Sequence, residues 1–391
     1  MNTLSSYQHV TPPLRVFSGA QCLGTFEREL KRLGVERAMI FCGRTLGRPG
    51  SPLDLVRATL GDRLAGVFSG VRAHSPVPDV EAAVQALRDA GADGVIAVGG
   101  GSAIVTARAA SILLAEGRPA ADLATSRTDD GKLFSPRLEA SKIPQIIIPT
   151  TPTTAIVKAG SAIFDPVGKV RLAMFDPKTR AQSVFIHPDM IASAPDSLVL
   201  SASYNVLAMA IEGLMSLGGD PIADGQLMHA LRLVAESFSA GTALDESTRG
   251  DLIIAAMLCG QGTDHSGAGA VTVLGHAVGV PHNVENGIVN AIVLPHVIAF
   301  NANAAPRGLA KIGAALGIFE GDAEALLGAV LVRLRALLKG LGAPARLRDV
   351  GVPTEALRDI AEHAMDDWFL RGNPRPVAGP SELEQLLGEA W

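Results

Sequence analysis

The chain has 391 residues, enough for two domains with separate hydrophobic cores. Hydrophobic residues make up 48% of it and aromatic residues only 4%, so its cores must consist mainly of Ala, Val, Leu and Ile. The net charge of −5 gives no electrostatic reason to expect a nucleic acid or an anionic membrane surface as partner.

The sequence also lacks the usual marks of export. Its opening segment has no basic stretch followed by an apolar run, and no segment reaches about 18 uninterrupted apolar residues. Cys22, Cys42 and Cys259 are far apart, odd in number and set in apolar surroundings. This favours buried thiols in a reducing compartment over disulfides or metal ligands. We therefore expect a cytoplasmic protein with no membrane partner.

The first half of the chain alternates short apolar runs with helical patterns. Predicted strands span 38–42, 66–69, 95–98 and 146–148, and predicted helices span 79–90 and 103–114. Asp79 follows Pro78 and is expected to cap its helix. The polar segment 122–142 is predicted to be an exposed loop. Continuous apolar strands between helices predict a parallel sheet covered on both faces.

From about residue 195 onward, long Ala- and Leu-rich helical patterns replace the strands. They span 198–217, 226–238, 252–262, 325–341 and 354–365. The sequence therefore predicts an α/β domain over 1–194 and an all-helical domain over 195–391. A ligand site is expected in a cleft between them, where small-molecule sites are common.

A glycine-rich turn is the most informative feature of the first domain. Strand 95–98 runs into Gly99, Gly100 and Gly101, and the next helix opens with Ser102. Such a turn lets free N–H groups and the positive helix end approach a pyrophosphate. A side chain at Gly100 should fill that space and conflict with a positive φ. A simple tight βα turn would account for the same residues, and the pattern is not GxGxxG.

A second polar stretch follows the strand 146–148. Thr150, Thr151, Thr153 and Thr154 carry hydroxyl groups that can donate to phosphate or ribose oxygens in the same crevice. A threonine-rich surface turn is the alternative interpretation of this stretch.

The two stretches together resemble the iron-containing alcohol dehydrogenase family, which carries a GGGS turn, a later Pro-Thr-Thr stretch and a helical second domain. Further matches are Ala210-Ile211-Glu212-Gly213, Gly275-His276-Ala277-Val278-Gly279, Ala291-Ile292-Val293-Leu294-Pro295-His296 and Asn373-Pro374-Arg375-Pro376. The resemblance covers nearly the whole chain. It implies the fold shared with dehydroquinate synthase: an α/β dinucleotide-binding domain with a parallel sheet, followed by an all-α domain. It also implies an NAD(P)-dependent oxidoreductase.

The metal-binding positions of that family are all changed. The family holds a divalent ion with an Asp and a His four residues apart on one helix and two His from later helices. The corresponding residues here are Asn205, Met209, Thr272 and Asn286. None offers a carboxylate or an imidazole, and a thioether is a poor ligand for iron or zinc. The resemblance thus implies no metal here, and four neutral side chains lining a substrate site.

Within the family, the chain is most similar to the maleylacetate reductases, which also have Asn at the first of these positions and a His at the place of His265. Without a metal, hydride transfer to a carbonyl needs hydrogen-bond donors, an imidazolium or an electrophilic substrate. His276 is the first candidate for proton donor, since its family counterpart lies beside the nicotinamide, and His265 is the second. Each is also compatible with a histidine packed in a helical core. Arg375 suits either an anion contact or a structural cap.

The residues after strand 38–42 bear on cofactor choice. Family members that use NAD often have an Asp there, which accepts from the ribose 2′-hydroxyl and repels a 2′-phosphate. This chain has Gly43 and Arg44 instead. We therefore expect NADP(H) to be preferred over NAD(H).

The leading hypothesis is a metal-independent NAD(P)H-dependent reductase of a small carbonyl, such as a maleylacetate-like keto acid, or of an activated alkene. The resemblance implies a cytoplasmic homodimer. A non-redox lyase or hydrolase-like enzyme and a ligand-binding pseudoenzyme are the alternatives. The glycine turn and the threonine stretch favour the leading hypothesis, while Val105, Thr106 and Arg108 weaken the family's usual pattern of Asp and Lys just after the GGGS turn.

Overall fold

The computed structural model describes residues 6–128, 132–239 and 244–391. The chain divides into two compact units. Pro12–Ala194 is the α/β unit, and Pro195–Trp391 is the helical unit. Residues 6–11 group with the helical unit, although they precede the α/β unit in the chain.

The α/β unit contains ten strands and six α-helices among its described residues. The strands are β1 (Arg15–Ser18), β2 (Ala38–Gly43), β3 (Leu64–Val71), β4 (Gly94–Gly99), β5 (Ser126–Arg127), β6 (Leu133–Phe134), β7 (Gln145–Pro149), β8 (Gly160–Asp165), β9 (Val170–Phe175) and β10 (Ser183–Ile186). The helices are α1 (Phe26–Leu33), α2 (Leu53–Leu60), α3 (Val77–Ala90), α4 (Gly101–Glu116), α5 (Ala120–Leu123) and α6 (Pro188–Ala192).

Six strands form the predicted parallel sheet, in the order β1-β10-β7-β4-β2-β3. Every residue of β4 and β7 is buried, which explains their continuous apolar sequences. The chain passes outward from β2 to β3 and then returns to β4 on the other side of β2. This reversal is the switch point of the sheet, and ligands of such sheets bind outside the carboxyl ends of the strands there.

Two local predictions in this unit were wrong. Helix α3 begins at Val77 with Pro76 as its N-cap, so Asp79 lies inside the first turn and pairs with Arg72 instead of capping the helix. The segment predicted as a loop contains the end of α5 and the small antiparallel pair β5–β6, while 129–131 lie outside the described residues. Strands of two exposed residues are too short to show any periodicity.

The helical unit confirms the predicted all-α second domain. Its helices are α7 (Asp196–Met215), α8 (Pro221–Ser239), α9 (Glu246–Ser266), α10 (Ala270–His282), α11 (Asn286–Asn301), α12 (Pro306–Ala315), α13 (Ala323–Gly340), α14 (Leu357–Ala364) and α15 (Pro380–Ala390). Helix α7 packs against α8, α9 and α11, and α10 packs against both α7 and α11. A Cβ on Gly287 would lie 1.8 Å from the Ser201 carbonyl oxygen, so the α7 and α11 backbones can meet there only at a glycine.

Helix α7 is the one helix of the described chain that is long and apolar enough to cross a membrane by length and composition. Its sequence is not an uninterrupted apolar run, and the prediction from such runs did not single it out. Of its most apolar 18-residue window, 72% is buried inside the protein. A buried core helix passes the same test, and α7 occupies that position.

The three cysteines are free and buried, as predicted from their apolar surroundings. Burial raises the pKa of the Cys42 thiol to about 11, so this residue is a protonated core side chain at neutral pH.

Candidate active site

The glycine turn and the threonine stretch meet at the carboxyl edge of the sheet. Strands β4 and β7 are neighbours, with Gly99 opposite Pro149. The Thr150 N–H donates to the Gly99 carbonyl at 3.1 Å. Strand β2, on the other side of β4, ends at Gly43. The segments predicted to bind the cofactor therefore start from three adjacent strands at the switch point.

The turn itself differs in one detail from the expectation. Gly99 has the positive φ, +146°, whereas Gly100 has a φ of −86°. Gly100 is instead constrained by space, because a Cβ there would lie 2.8 Å from the Thr151 hydroxyl oxygen. It is also the N-cap residue of α4, so no side chain of its own covers the first N–H groups of that 16-residue helix. These groups and the helix dipole favour an anion.

The threonine stretch packs on this turn. Thr150 and Thr151 are buried. The Thr153 hydroxyl oxygen accepts from the Ala155 N–H at 3.3 Å and lies next to Gly101. Thr154 begins a short 3-10 helix (Thr154–Ile156). Ser102, at the start of α4, is held separately, since its carbonyl accepts a hydrogen bond from the Ser75 hydroxyl. Through Thr151 and Thr153, the threonine stretch and the glycine turn form one continuous surface.

Arg108, one of the residues that depart from the family pattern after the glycine turn, has a structural role. Its side chain is fully buried in α4 and donates to the carbonyls of Ala155 and Gly160, at 2.8 Å in each case. Charge-assisted bonds to buried carbonyls are strong enough to hold a backbone segment in place. Arg108 therefore anchors the end of the threonine stretch, and sequence reasoning missed this role.

The end of β2 carries a positive charge and no carboxylate. Gly43 is partly buried, and a Cβ there would meet only the Val71 carbonyl oxygen, at 4.0 Å. Arg44 is exposed, and no acidic residue in the described parts of the chain pairs with it. The position thus has room for a longer side chain and offers a cation to an anionic group.

In the helical unit, the four positions that the resemblance matched to the family's metal ligands lie on three mutually packed helices. Asn205 and Met209 are one turn apart on α7, with 3.3 Å between the Asn205 amide nitrogen and the Met209 sulfur. Thr272 is on α10, and Asn286 is the first residue of α11. The Asn205 amide also contacts the Asn290 amide at 2.8 Å.

The Thr272 hydroxyl is committed to a buried carboxylate. It donates to Glu212 Oε2 at 2.6 Å, and the N–H groups of Val271 and Thr272 donate to Glu212 Oε1 at 2.6 and 3.2 Å. Burial raises the pKa of Glu212 even though these hydrogen bonds lower it. Glu212 therefore fixes the start of α10, a role that the sequence motif around it did not suggest.

Asn286 and Asn290 fill space beside two glycines of α10. A Cβ on Gly279 would lie 2.2 Å from Asn286 Oδ1, and one on Gly275 would lie 2.2 Å from the Asn290 amide. Asn286 Oδ1 is buried and has no hydrogen-bond partner among the described residues. Amides, a thioether and a hydroxyl bound to Glu212 do not fit an iron or zinc ion.

His276 forms a carboxylate–imidazole pair one turn beyond Thr272. Its Nδ1 lies 2.8 Å from Asp367 Oδ2, and both side chains are about one-fifth exposed, 21% and 20%. Because the ionised carboxylate only accepts, Nδ1 carries a hydrogen and Nε2 is the nitrogen that exchanges a proton. Asp367 is held in turn by the Phe369 N–H, 3.0 Å from its other oxygen. The sequence analysis did not identify Asp367.

His265 is placed differently. It lies in the last turn of α9, where its Nε2 is 3.2 Å from the Val10 carbonyl oxygen and its ring stacks on His9. Across the described residues, none of its hydrogen bonds or ion pairs reaches His276 or Asp367. The structure therefore does not bring the two candidate histidines into contact.

Arg375 has structural partners. Its guanidinium lies 3.9 Å from the centroid of the Phe300 ring and pairs with Glu382 at 3.0 Å. The neighbouring Asn373 is buried and exchanges two hydrogen bonds with Asn301. Of the two roles considered for Arg375, these contacts support the structural one.

Two family models match the chain. "Iron-containing alcohol dehydrogenase" matches residues 13–188, and "Fe-containing alcohol dehydrogenase family, C-terminal" matches residues 199–391. The lactaldehyde reductase of Escherichia coli K12 is 30% identical over 382 residues, which cover 95% of this chain and 97% of that enzyme. The maleylacetate reductase of Sphingobium indicum is 29% identical over 384 residues, covering 97% and 95%.

Solved structures agree. The crystal structure of maleylacetate reductase from Agrobacterium tumefaciens superposes with a TM-score of 0.78 at 27% identity, covering 99% of both chains. The two family models, the full-length relatives and this common fold lead to one conclusion. The chain belongs to the iron-containing alcohol dehydrogenase family and is an NAD(P)-dependent oxidoreductase.

Proposed function

We propose that this protein is a metal-independent NAD(P)H-dependent reductase. Its substrate is a small carbonyl compound of the maleylacetate-like keto-acid class, or an activated alkene. The observation that carries the proposal is the His276–Asp367 pair, which lies one turn from Thr272 on the helix that lacks its metal ligand. The proposal therefore places a proton donor, His276, beside positions whose side chains do not fit the metal ion that acts as Lewis acid in the family.

The dinucleotide is proposed to bind at the switch point of the sheet. The uncapped N–H groups that follow Gly100 bind the pyrophosphate, and the Thr151 hydroxyl contributes beside them. Arg108 keeps the threonine stretch in position. Gly43 leaves room for a 2′-phosphate and Arg44 supplies a positive charge for it, so NADP(H) is preferred over NAD(H). When bound, the cofactor supplies the hydride.

On the substrate side, negative charge develops on the carbonyl oxygen as the carbon is reduced. His276 donates the proton from Nε2, while Asp367 holds the ring by its Nδ1–H and stabilises the protonated state. The Asn205 amide is a neutral group that orients the substrate, whereas the Thr272 hydroxyl, whose hydrogen is bound to Glu212, can only accept a hydrogen bond from it. His265 takes no part in this mechanism, because its Nε2 faces the Val10 carbonyl and its Nδ1 faces Asp220.

Neutral donors polarise a carbonyl less than a metal ion does. A substrate that is already activated by a neighbouring electron-withdrawing group therefore suits this site better than a simple aldehyde. Similarity to maleylacetate reductases supports the keto-acid class. The cytoplasmic location and the homodimer implied by the family resemblance remain predictions.

The test uses the full-length protein after treatment with a chelator and dialysis. Fluorescence titration measures NADPH and NADH binding, and NADPH absorbance measures turnover with maleylacetate and with lactaldehyde. We expect tighter binding of NADPH, turnover of the keto acid, and no increase when Fe²⁺ or Zn²⁺ is added. Turnover that is lost on chelation and restored by Fe²⁺ would refute metal independence. Binding without turnover of either compound would favour a non-redox role.

A further inference from the structure

Three side chains from separate parts of the helical unit converge on one point. His9 comes from the segment before β1, Asp220 precedes α8, and His265 lies at the end of α9. Their ligand atoms all lie within 4.8 Å of one another. The side chains are 6%, 3% and 17% exposed, respectively. This His9–Asp220–His265 cluster involves none of the positions that correspond to the family's metal ligands.

Hydrogen bonds orient the side chains of the cluster. The Val10 carbonyl can only accept, so His265 carries a hydrogen on Nε2, which lies 3.2 Å away. Asp220 Oδ2 lies 2.9 Å from His9 Nδ1, and this carboxylate oxygen accepts from that nitrogen. Burial raises the pKa of Asp220, but hydrogen bonds from His9, Ala223 and Ile222 lower it further, to below its usual range. Asp220 is therefore ionised at neutral pH.

One pair of facing atoms in the cluster, His265 Nδ1 and Asp220 Oδ2, is too far apart for a hydrogen bond. With a hydrogen on Nε2, His265 can turn the lone pair of Nδ1 toward Asp220 Oδ2, at a distance of 3.9 Å. A cation between the two atoms would bind both lone pairs. The His9 and His265 rings are stacked, with centroids 3.8 Å apart, so both Nδ1 atoms lie on the same side as the carboxylate.

We propose that His9 Nδ1, Asp220 Oδ2 and His265 Nδ1 bind a divalent transition-metal ion of the Zn²⁺ class. Two imidazoles and one carboxylate suit Zn²⁺ better than Ca²⁺ or Mg²⁺, which prefer oxygen ligands. Ligand atoms around a tetrahedral Zn²⁺ lie about 3.3 Å apart, between the 2.9 and 3.9 Å found here. On binding, His9 moves its proton from Nδ1 to Nε2, and water completes the coordination.

The groups around the cluster are arranged as in a metal site. The Val10 carbonyl fixes the tautomer and orientation of His265. The other oxygen of Asp220 accepts the N–H groups of Ile222 and Ala223 at 2.8 and 3.0 Å, which holds the carboxylate at the start of α8. Such outer partners orient metal ligands and strengthen their binding. A bound ion would tie the N-terminal segment to α8 and α9, which is a structural role independent of the proposed reduction.

The test is a calorimetric titration of the chelator-treated full chain with Zn²⁺ alone. We expect one equivalent to bind, and His9→Gln to weaken the affinity by at least ~10²-fold, more than the loss of an outer partner. His9 lies outside every helix, so this variant avoids the folding risk of Asp220→Asn. The matched control, His363→Gln, removes an exposed histidine of α14 and should bind Zn²⁺ as the wild type does.

Melting temperature gives a second measurement. One equivalent of Zn²⁺ should raise it in the wild type and in His363→Gln but not in His9→Gln. The proposal is overturned if the wild type binds no Zn²⁺, or if His9→Gln binds it with unchanged affinity. Turnover of the zinc-free protein is measured separately, so failure of the reductase proposal and failure of this site are distinguishable.

Discussion

Replacing Asp367 with Asn tests the proton donor most directly. The change removes one charge and keeps the size of the side chain, with its single amide oxygen turned toward the His276 Nδ1–H and its amide nitrogen toward the Phe369 N–H. A hydrogen bond to a charged group contributes about 1.5–3 kcal/mol, and a neutral one about 0.5–1.5 kcal/mol. The protonated form of His276, bound at 2.8 Å, therefore loses about 1–2 kcal/mol of stabilisation. This corresponds to a roughly 5–30-fold loss.

The assay is steady-state turnover with NADPH and the keto acid. Asp367→Asn should lower kcat by that factor and leave the NADPH Kd unchanged, whereas His276→Ala should lower kcat by ~10²–10⁴-fold. In the His276→Ala background, Asp367→Asn should have little further effect, because the two residues act through one interaction. The control Asp366→Asn changes the adjacent exposed acid and should stay within about twofold of wild type.

A full-size effect of Asp367→Asn in the absence of His276 would refute the reasoning. So would a His276→Ala protein with wild-type kcat. Melting temperatures are measured alongside, because a histidine that only packs would reduce turnover in proportion to the unfolded fraction.

Three further predictions concern individual residues. Gly100→Val should abolish NADPH binding in calorimetry, because the valine side chain collides with Thr151 and covers the α4 N–H groups. The control Gly24→Ala, whose Cβ meets only open space, should bind NADPH normally. Equal NADPH affinity in both variants would make the turn purely structural. Gly43→Asp should shift the NADPH/NADH preference toward NADH by ~1–2 kcal/mol, about 5–30-fold. The uncharged Gly43→Asn should shift it less, and an unchanged ratio would separate Gly43 from the ribose. Glu212→Ala should cost about 2–3 kcal/mol in urea unfolding, since it leaves three donors without their buried acceptor. An unchanged unfolding midpoint would contradict this.

The sequence predicts the main elements well wherever burial leaves a regular pattern. Strands β4 and β7 are buried on both faces, so their apolar runs are continuous and easy to find. The start of α3 was misjudged because Asp79 has the right residue type for a cap but stands three residues beyond Pro76. Positive φ fell on Gly99 and not Gly100, because three consecutive glycines do not reveal which one makes the turn.

Parts of the candidate site depend on contacts between distant residues, which spacing along the chain cannot show. Asp367 lies 91 residues from His276, and Glu212 lies 60 from Thr272. The resemblance supplied the former metal positions because they belong to a motif. Their present partners are particular to this chain and became visible only in three dimensions.

The close fit of Asn286 against Gly279 has an evolutionary consequence. A histidine at position 286 would have to displace the contact that the amide now makes with α10, and it would find Asn205, Met209 and Thr272 unable to share an ion. Each single reversion would thus disturb packing before any metal could be bound. If the protein is metal-independent as proposed, binding an ion at these positions would require several simultaneous changes, a route that selection acting one substitution at a time does not favour.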